Sequence, residues 1–153
     1  MIYLGADHGG FSFKEKIKEF LEKELKIEYS DLGNAKFEGD DDFVDYALAV
    51  AKKVAETGEK GILFCTNGQG MCIAANKIKG IRAVEPTSKK TAQQSREHLD
   101  ANVLCIGEHV VSFRDAKKII KIWLETEFFS KDRYIRRIKK IRQLENGCME
   151  NGN

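Results

Sequence analysis

Several shortages in the sequence each exclude a class of protein. A single proline in 153 residues leaves no collagen-like or proline-rich reading. No apolar run approaches the ~18–20 residues that cross a bilayer. The first residues, Met1 to Gly10, lack the basic, apolar and cleavage-site parts of a signal peptide, so a cytoplasmic protein without membrane contact is expected. Neither sign of charge dominates: 26 Lys and Arg against 24 Asp and Glu give +2, too balanced for whole-surface attraction to nucleic acid. The four cysteines, Cys65, Cys72, Cys105 and Cys148, form no C-x-x-C pair and no regular disulfide spacing, which fits a reducing compartment. His8, His98 and His109 are too scattered to suggest a metal site.

What is present suits one globular domain with a real core: 42% apolar and 33% charged residues in a length typical of a single domain. The domain is expected over residues 1–146, with 147–153 as a frayed tail and no internal repeat or linker. Met1 to Gly5 reads as a buried strand opening into Asp7-His8-Gly9-Gly10. Phe13, Ile17, Phe20, Leu21 and Leu25 then recur at helical spacing, with Lys14, Glu15, Lys18, Glu19 and Glu22 on the opposite face. Ile27 to Leu32 reads as a strand, and Glu38 to Asp45 as a strongly acidic stretch. The helix after it is expected to turn Phe43, Ala47, Val50, Ala51 and Val54 inward.

Gly61-Ile62-Leu63-Phe64-Cys65 is unbroken and apolar, the mark of a strand covered on both faces and hence of a parallel sheet. Further elements are a short helix from Met71 to Lys77, a strand Ile81–Val84, a helix from Ser88 to His98 and a fifth strand Asn102–Ile106. Ser112 caps a helix carrying Ala116, Ile119, Ile120, Trp123 and Leu124. Ser130 is expected to cap a basic helix over about 130–146. Alternating strands and helices imply an α/β fold: a three-layer α/β/α sandwich on a five-stranded parallel sheet, Rossmann-like, with ligands beyond the carboxyl ends of the strands.

Unusual residues gather at those strand ends. In Cys65-Thr66-Asn67-Gly68-Gln69-Gly70-Met71, two glycines between strand and helix let backbone N–H groups face an anion and could lower the Cys65 pKa. Equally, Cys65 could be a buried apolar residue on a plain turn. No dinucleotide fingerprint fits, because Ile73 stands where the third glycine belongs. Asp7 and His8 on their glycine turn could bind sugar hydroxyls or phosphate, or simply cap the turn. His98 and Asp100 could merely close a helix. Lys131 to Arg142 holds seven basic residues and one acid. Arg133 and Arg137, one helical turn apart, could grip phosphate, though such a run is more often a solvated face. With Tyr134 its only aromatic, nucleic acid is not expected.

Taken in order, Gly5-Ala6-Asp7-His8-Gly9-Gly10-Phe11, Cys65 to Gly70, Ile73-Ala74-Ala75-Asn76-Lys77, Gly80-Ile81-Arg82-Ala83-Val84, Ser95-Arg96-Glu97-His98 and Asp100-Ala101-Asn102-Val103-Leu104 resemble the RpiB/LacA/LacB sugar-phosphate isomerases, whose first member type is ribose-5-phosphate isomerase B. The resemblance runs from Met1 to about Ile141. It implies cofactor-free, metal-free interconversion of an aldose and a ketose phosphate through a cis-enediolate. Cys65 would be the base and His98 the ring-opening group. Asp7 would hold the sugar, with His8, Arg133 and Arg137 on the phosphate. Asn67 belongs to the catalytic set, and Asp42, Gly68, Gln69, Gly70, Asn76 and His109 to the substrate-binding set. A homodimer with shared sites, perhaps pairing to a tetramer, is also implied, with a small-molecule sugar phosphate as the only other partner.

Five departures accompany the resemblance: Asn67 in place of a threonine, Leu99 in place of an asparagine, Phe43-Val44 in place of Tyr-Pro after Asp42, His109 in place of an arginine and Tyr134 in place of a histidine. Each lost hydroxyl or charged contact could cost about 1–3 kcal/mol in binding. Ribose 5-phosphate and ribulose 5-phosphate are the leading pair. The alternatives are galactose 6-phosphate, allose 6-phosphate or a tetrose phosphate, or a module that binds sugar phosphate without turnover.

Overall fold

The computed structural model describes residues 1–147; the remainder of the expected tail, with Cys148, lies outside them. Five parallel strands, β1 (Ile2–Ala6), β2 (Tyr29–Asp31), β3 (Lys60–Cys65), β4 (Ala83–Val84) and β5 (Val103–Gly107), lie in the order β2-β1-β3-β5-β4. Six helices connect and extend them: α1 (Phe11–Glu19, continued as a π-helical stretch Phe20–Leu25), α2 (Phe43–Thr57), α3 (Gln69–Ala75), α4 (Lys89–Leu99), α5 (Phe113–Glu125) and α6 (Asp132–Glu145). The expected three-layer sandwich is the observed one. None of the described helices is long and apolar enough to cross a membrane.

Strand alternation divides the core in two. Ile2, Leu4, Ala6, Ile62, Phe64, Leu104 and Ile106 face α1, α4 and α5, around the fully buried Trp123. Tyr3, Leu63, Cys65, Val103 and Cys105 face α2 and α3. Both faces are covered, so the strands can be apolar throughout. Chain order reverses across β1, whose successors β2 and β3 flank it. A crevice therefore opens above the carboxyl ends of β1 and β3, where Asp7 and Cys65 sit.

Several sequence expectations are corrected. Lys14 is fully buried, not on a solvated face: its Nζ donates to Asp31 Oδ2 at 2.6 Å and to the Asn34 carbonyl at 2.7 Å. Helical spacing could not show that the β2 loop covers this side of α1. Burial pushes the Asp31 carboxyl up, but Lys14, the Gly33 N–H and Lys18 outweigh it, and the net shift is down. Phe43 is 38% exposed and does not join the inner face of α2. Lys131, not Ser130, is the N-cap of α6, without a side-chain bond, while Ser130 takes a left-handed φ of 44°. β4 shrinks to two residues because the Arg82 N–H turns to the Asn102 side chain at 2.8 Å. Ser112 caps α5 as expected, accepting from the Asp115 N–H.

Candidate active site

The site begins where β1 ends. Asp7 caps a single 3-10 turn, His8–Gly10, by accepting the Gly10 N–H at 3.2 Å. That turn lies so close across β3 that a Cβ on Gly10 would come within 2.2 Å of the Phe64 backbone. Asp7 is 7% exposed, and burial raises its carboxyl pKa despite the neighbouring His8. His8 is held through a residue the sequence did not single out. Asp41 Oδ1 accepts both the His8 Nδ1–H at 2.7 Å and its backbone N–H at 3.0 Å. That hydrogen bond raises the imidazole pKa. Asp41 is itself bonded by the Asn34 amide, which in turn accepts the Tyr46 hydroxyl. Asp42, the acid singled out from sequence, is exposed and stands at the start of α2 with no side-chain cap bond. Five acids between Glu38 and Asp45 carry no spacing that favours one of them. Asp7, His8 and Asp41 have ligand-type atoms all within 4.8 Å, a convergence that the scattered histidines did not suggest; in this arrangement Asp41 satisfies His8, and Asp7 satisfies the turn.

Cys65 closes β3 and is 6% exposed. Its Sγ accepts the Gly68 N–H at 3.0 Å. The expectation of a lowered thiol pKa is reversed: burial pushes it up, and the loop amides of Gly68, Asn67 and Met71 only moderate the rise. Gly68 carries a left-handed φ of 83° at the start of α3, and Glu85, after β4, presses against it. Asn67 Oδ1 is engaged by the Gln69 N–H at 3.2 Å. The Phe43 ring lies against Gly70. His109 joins this end through its N–H, which donates to the Thr66 carbonyl at 2.9 Å; its side chain is exposed.

Asn76, exposed at the end of α3, is tied to β4. Its amide donates to the Ala83 carbonyl at 2.9 Å and accepts the Ala83 N–H at 2.8 Å, extending the short β4 with a side chain in place of a strand.

The other predicted residues lie elsewhere. α4 returns from the carboxyl end of the sheet to the amino end, where Arg82 Nε donates to the Leu99 carbonyl at 2.9 Å. His98 therefore lies toward the end of the sheet opposite Cys65. Its ring stacks on Tyr134 of α6 with centroids 4.6 Å apart, the Arg133 guanidinium also lies over the Tyr134 ring, 5.1 Å from its centroid, and Arg137 shares an open groove with His98 and Leu99. Within one chain there are thus two clusters: Asp7, His8, Cys65 and the 67–70 loop in one, and His98, Arg133 and Arg137 in the other.

The ribose/galactose isomerase family matches residues 2–141. YwlF of Bacillus subtilis (strain 168), whose name gives the class sugar phosphate isomerase and no particular sugar, is 44% identical over 146 residues, 94% of this chain and 96% of that protein. D-erythrulose-4-phosphate isomerase 2 of Mycolicibacterium smegmatis is 37% identical over 129 residues, 83% of this chain and 85% of that protein. The crystal structure of ribose-5-phosphate isomerase B from Mycoplasma genitalium with bound ribulose-5-phosphate superposes with a TM-score of 0.90 at 39% identity, covering 95% of each chain. The fold, its strand-end site and these matches define a class, the isomerases. The chain belongs to the ribose/galactose isomerase family, that of the RpiB/LacA/LacB enzymes.

Proposed function

We propose that the chain is a sugar-phosphate isomerase that interconverts ribose 5-phosphate and ribulose 5-phosphate, in a homodimer whose sites each draw on both chains. The carrying observation is the Cys65 thiol, nearly buried and bonded by the loop amide of Gly68 at 3.0 Å, in a crevice lined by Asp7 and His8. Going from aldose to ketose, the Cys65 thiolate takes the C2 proton: the C2–H bond breaks, an S–H bond forms, and the electron pair moves into the enediolate. The same proton then returns at C1 as the C2 carbonyl forms, and the O2 hydroxyl proton passes to O1. A raised thiol pKa makes the thiolate scarcer at rest but a stronger base once formed. Loop amides of residues 67–70 stabilise the oxyanion that develops as the carbonyl enolises, an effect of about 3–4 kcal/mol for one such donor in comparable sites. His98, held by its stack on Tyr134, opens the furanose by moving a proton from the anomeric hydroxyl to the ring oxygen. Arg133 and Arg137 hold the phosphate with His8.

The division of these roles over two chains is supported by the separation of the clusters. β5 spans five residues, roughly 13 Å at ~3.3 Å each, and His98 lies before its first residue while Cys65 lies level with its last. In this reading a twofold pairing brings the His98 end of one copy over the Cys65 end of the other, so that one pentose phosphate meets both.

A second reading keeps the chemistry and changes the sugar. It is favoured by Phe43, whose ring abuts Gly70 without a hydroxyl, and by the exposed Leu99. A relative is named for a four-carbon ketose phosphate, so that substrate belongs in the test. Turnover on ribose 5-phosphate, allose 6-phosphate, galactose 6-phosphate and a tetrose phosphate decides: kcat/KM at least about tenfold higher for ribose 5-phosphate, ~1.4 kcal/mol in transition-state binding, is expected, and the reverse preference replaces ribose. Binding without turnover, unchanged in Cys65→Ala, would leave only a binding module.

A further inference from the structure

Beneath the sheet, at the end opposite Cys65, lies a cavity of ≈ 360 Å³ walled by Lys60, Arg82, Arg96 and Arg142 together with Asp100 and Glu59. Two of its guanidinium groups are fixed by one carboxylate. Asp100 Oδ2 accepts from Arg82 Nη2 at 3.0 Å, and Oδ1 from Arg96 Nη1 at 2.8 Å. Asp100 itself takes a left-handed φ of 48°, a conformation an aspartate holds at some cost. Arg96 is only 5% exposed. Its Nη1 also donates to the Ala101 carbonyl and its Nε to the Thr126 carbonyl, yet Nη2 has no partner among the described residues.

The carboxylates around this cavity are engaged mainly away from Lys60 and Arg142. Both oxygens of Asp100 are taken by the two arginines, Glu59 pairs with the N-terminal amine at 3.3 Å, and Glu145 accepts the Gly80 N–H at 3.1 Å. Glu127 attracts Lys60 without an ion pair. Lys60 reaches the Leu124 carbonyl at 3.3 Å and lies 5.8 Å from the Trp123 ring centroid, with no carboxylate in ion-pair range among the described residues; burial and the nearby Arg96 depress its pKa. The Arg142 side chain has no hydrogen bond or ion pair among the described residues. A structural clamp tying β4, α4 and β5 explains Arg82, Asp100 and Arg96. It does not explain why Lys60 and Arg142 face the same open space.

We propose that this cavity is a second anion site, for the phosphoryl group of a small phosphorylated metabolite, distinct from the grip assigned to Arg133 and Arg137. Rigid guanidinium forks suit the paired oxygens of a phosphoryl group; Lys60, half-buried and without an ion pair, gains most from its arrival, and the exposed Arg142 stands at the mouth. The site does not depend on which sugar the isomerase uses.

Calorimetric titration of the full chain with inorganic pyrophosphate tests it. Two binding events per chain are expected. Lys60→Met with Arg142→Met weakens one of them by about tenfold or more, ~1.4 kcal/mol, and leaves kcat/KM within about twofold, since neither side chain belongs to the isomerase site. Arg133→Ala with Arg137→Ala removes the other and spares the first. Lys60→Glu in place of Lys60→Met gives the same loss by repulsion. A single event per chain, or two events that the Lys60 and Arg142 substitutions leave intact, overturns the proposal.

Discussion

The two ends of the sheet are built by different means. At the carboxyl end the working groups come largely from backbone: amides of a glycine loop, a 3-10 turn, and short side chains such as Asp7 and Cys65 set by strand termini. At the amino end they are long side chains on helices, with His98 on α4 and Arg133 and Arg137 on α6, His98 and Arg133 both lying against the Tyr134 ring. Strand ends give precision, which proton transfer at carbon needs. Helix-borne arginines give reach, which gripping a phosphate on a neighbouring molecule needs. In the proposed dimer each chain is half of a site written twice, and each prediction below tries to break that division.

The largest effect falls on chemistry. Cys65→Ala and His98→Asn each remove a proton-transfer group, and each should lower turnover by about 10²–10⁴-fold. Mixed under conditions that let subunits exchange, the two inactive chains should regain activity, because half of the dimers would carry one intact site of two, giving roughly a quarter of the unmodified rate. No recovery in verified heterodimers would mean that each chain works alone, and the division between the ends would fall.

The next pair separates stability from binding. Lys14 sits fully buried behind the carboxyl end, with Asp31 and the Asn34 carbonyl as partners. Removing one partner of a buried pair costs about 3–5 kcal/mol, and Lys18, which still reaches Asp31, should hold Lys14→Met to about 2–3 kcal/mol in urea unfolding. Arg133→Ala with Arg137→Ala, on the exposed side of α6, should leave stability within about 0.5 kcal/mol and raise KM by roughly 10–100-fold, the loss of charged hydrogen bonds worth about 1.5–3 kcal/mol. Equal destabilisation by both changes would show that the amino end is structural and not a phosphate grip.

How much of this could be read from sequence follows from which forces were local. The parallel sheet was legible because strands covered on both faces must be apolar throughout, and Ile62 to Cys65 is. The loop after Cys65 was legible because glycines between a strand and a helix have few other uses. Lys14 was not, since helical periodicity cannot show that a loop thirty residues from the N-terminus will cover a helix's outer side. Asp41 could not be told from Asp42, because only the path of the chain before α2 decides which acid meets His8. Asn76 shows a role that spacing could not reveal: its side chain also bonds the backbone of β4. The direction of the Cys65 shift needed burial, which the helix start at Gln69 does not reveal.

The smallest effect probes how the carboxyl end tunes His8, the group proposed to hold the phosphate there. The His8 imidazole pKa lies above its ordinary value of ~6.5, mainly because its Nδ1–H bonds Asp41. A folded-state value raised above the unfolded one means that the contribution of protonated His8 is complete below ~6.5 and is lost as pH climbs through the folded value. The phosphate contact should follow the same curve, with KM rising on the alkaline side while kcat, governed by the Cys65 proton transfer, rises as more thiolate forms. Asp41→Asn keeps the side chain's shape but removes its charge. In this variant the His8 pKa, read from imidazole chemical shifts, should fall back toward ~6.5 and the rise in KM should begin at lower pH. Arg133 and Arg137, already charged at every accessible pH, should show no such dependence. If KM in Asp41→Asn keeps the unmodified pH profile, the phosphate is held by the helix-borne arginines without His8, and the carboxyl end serves carbon chemistry alone.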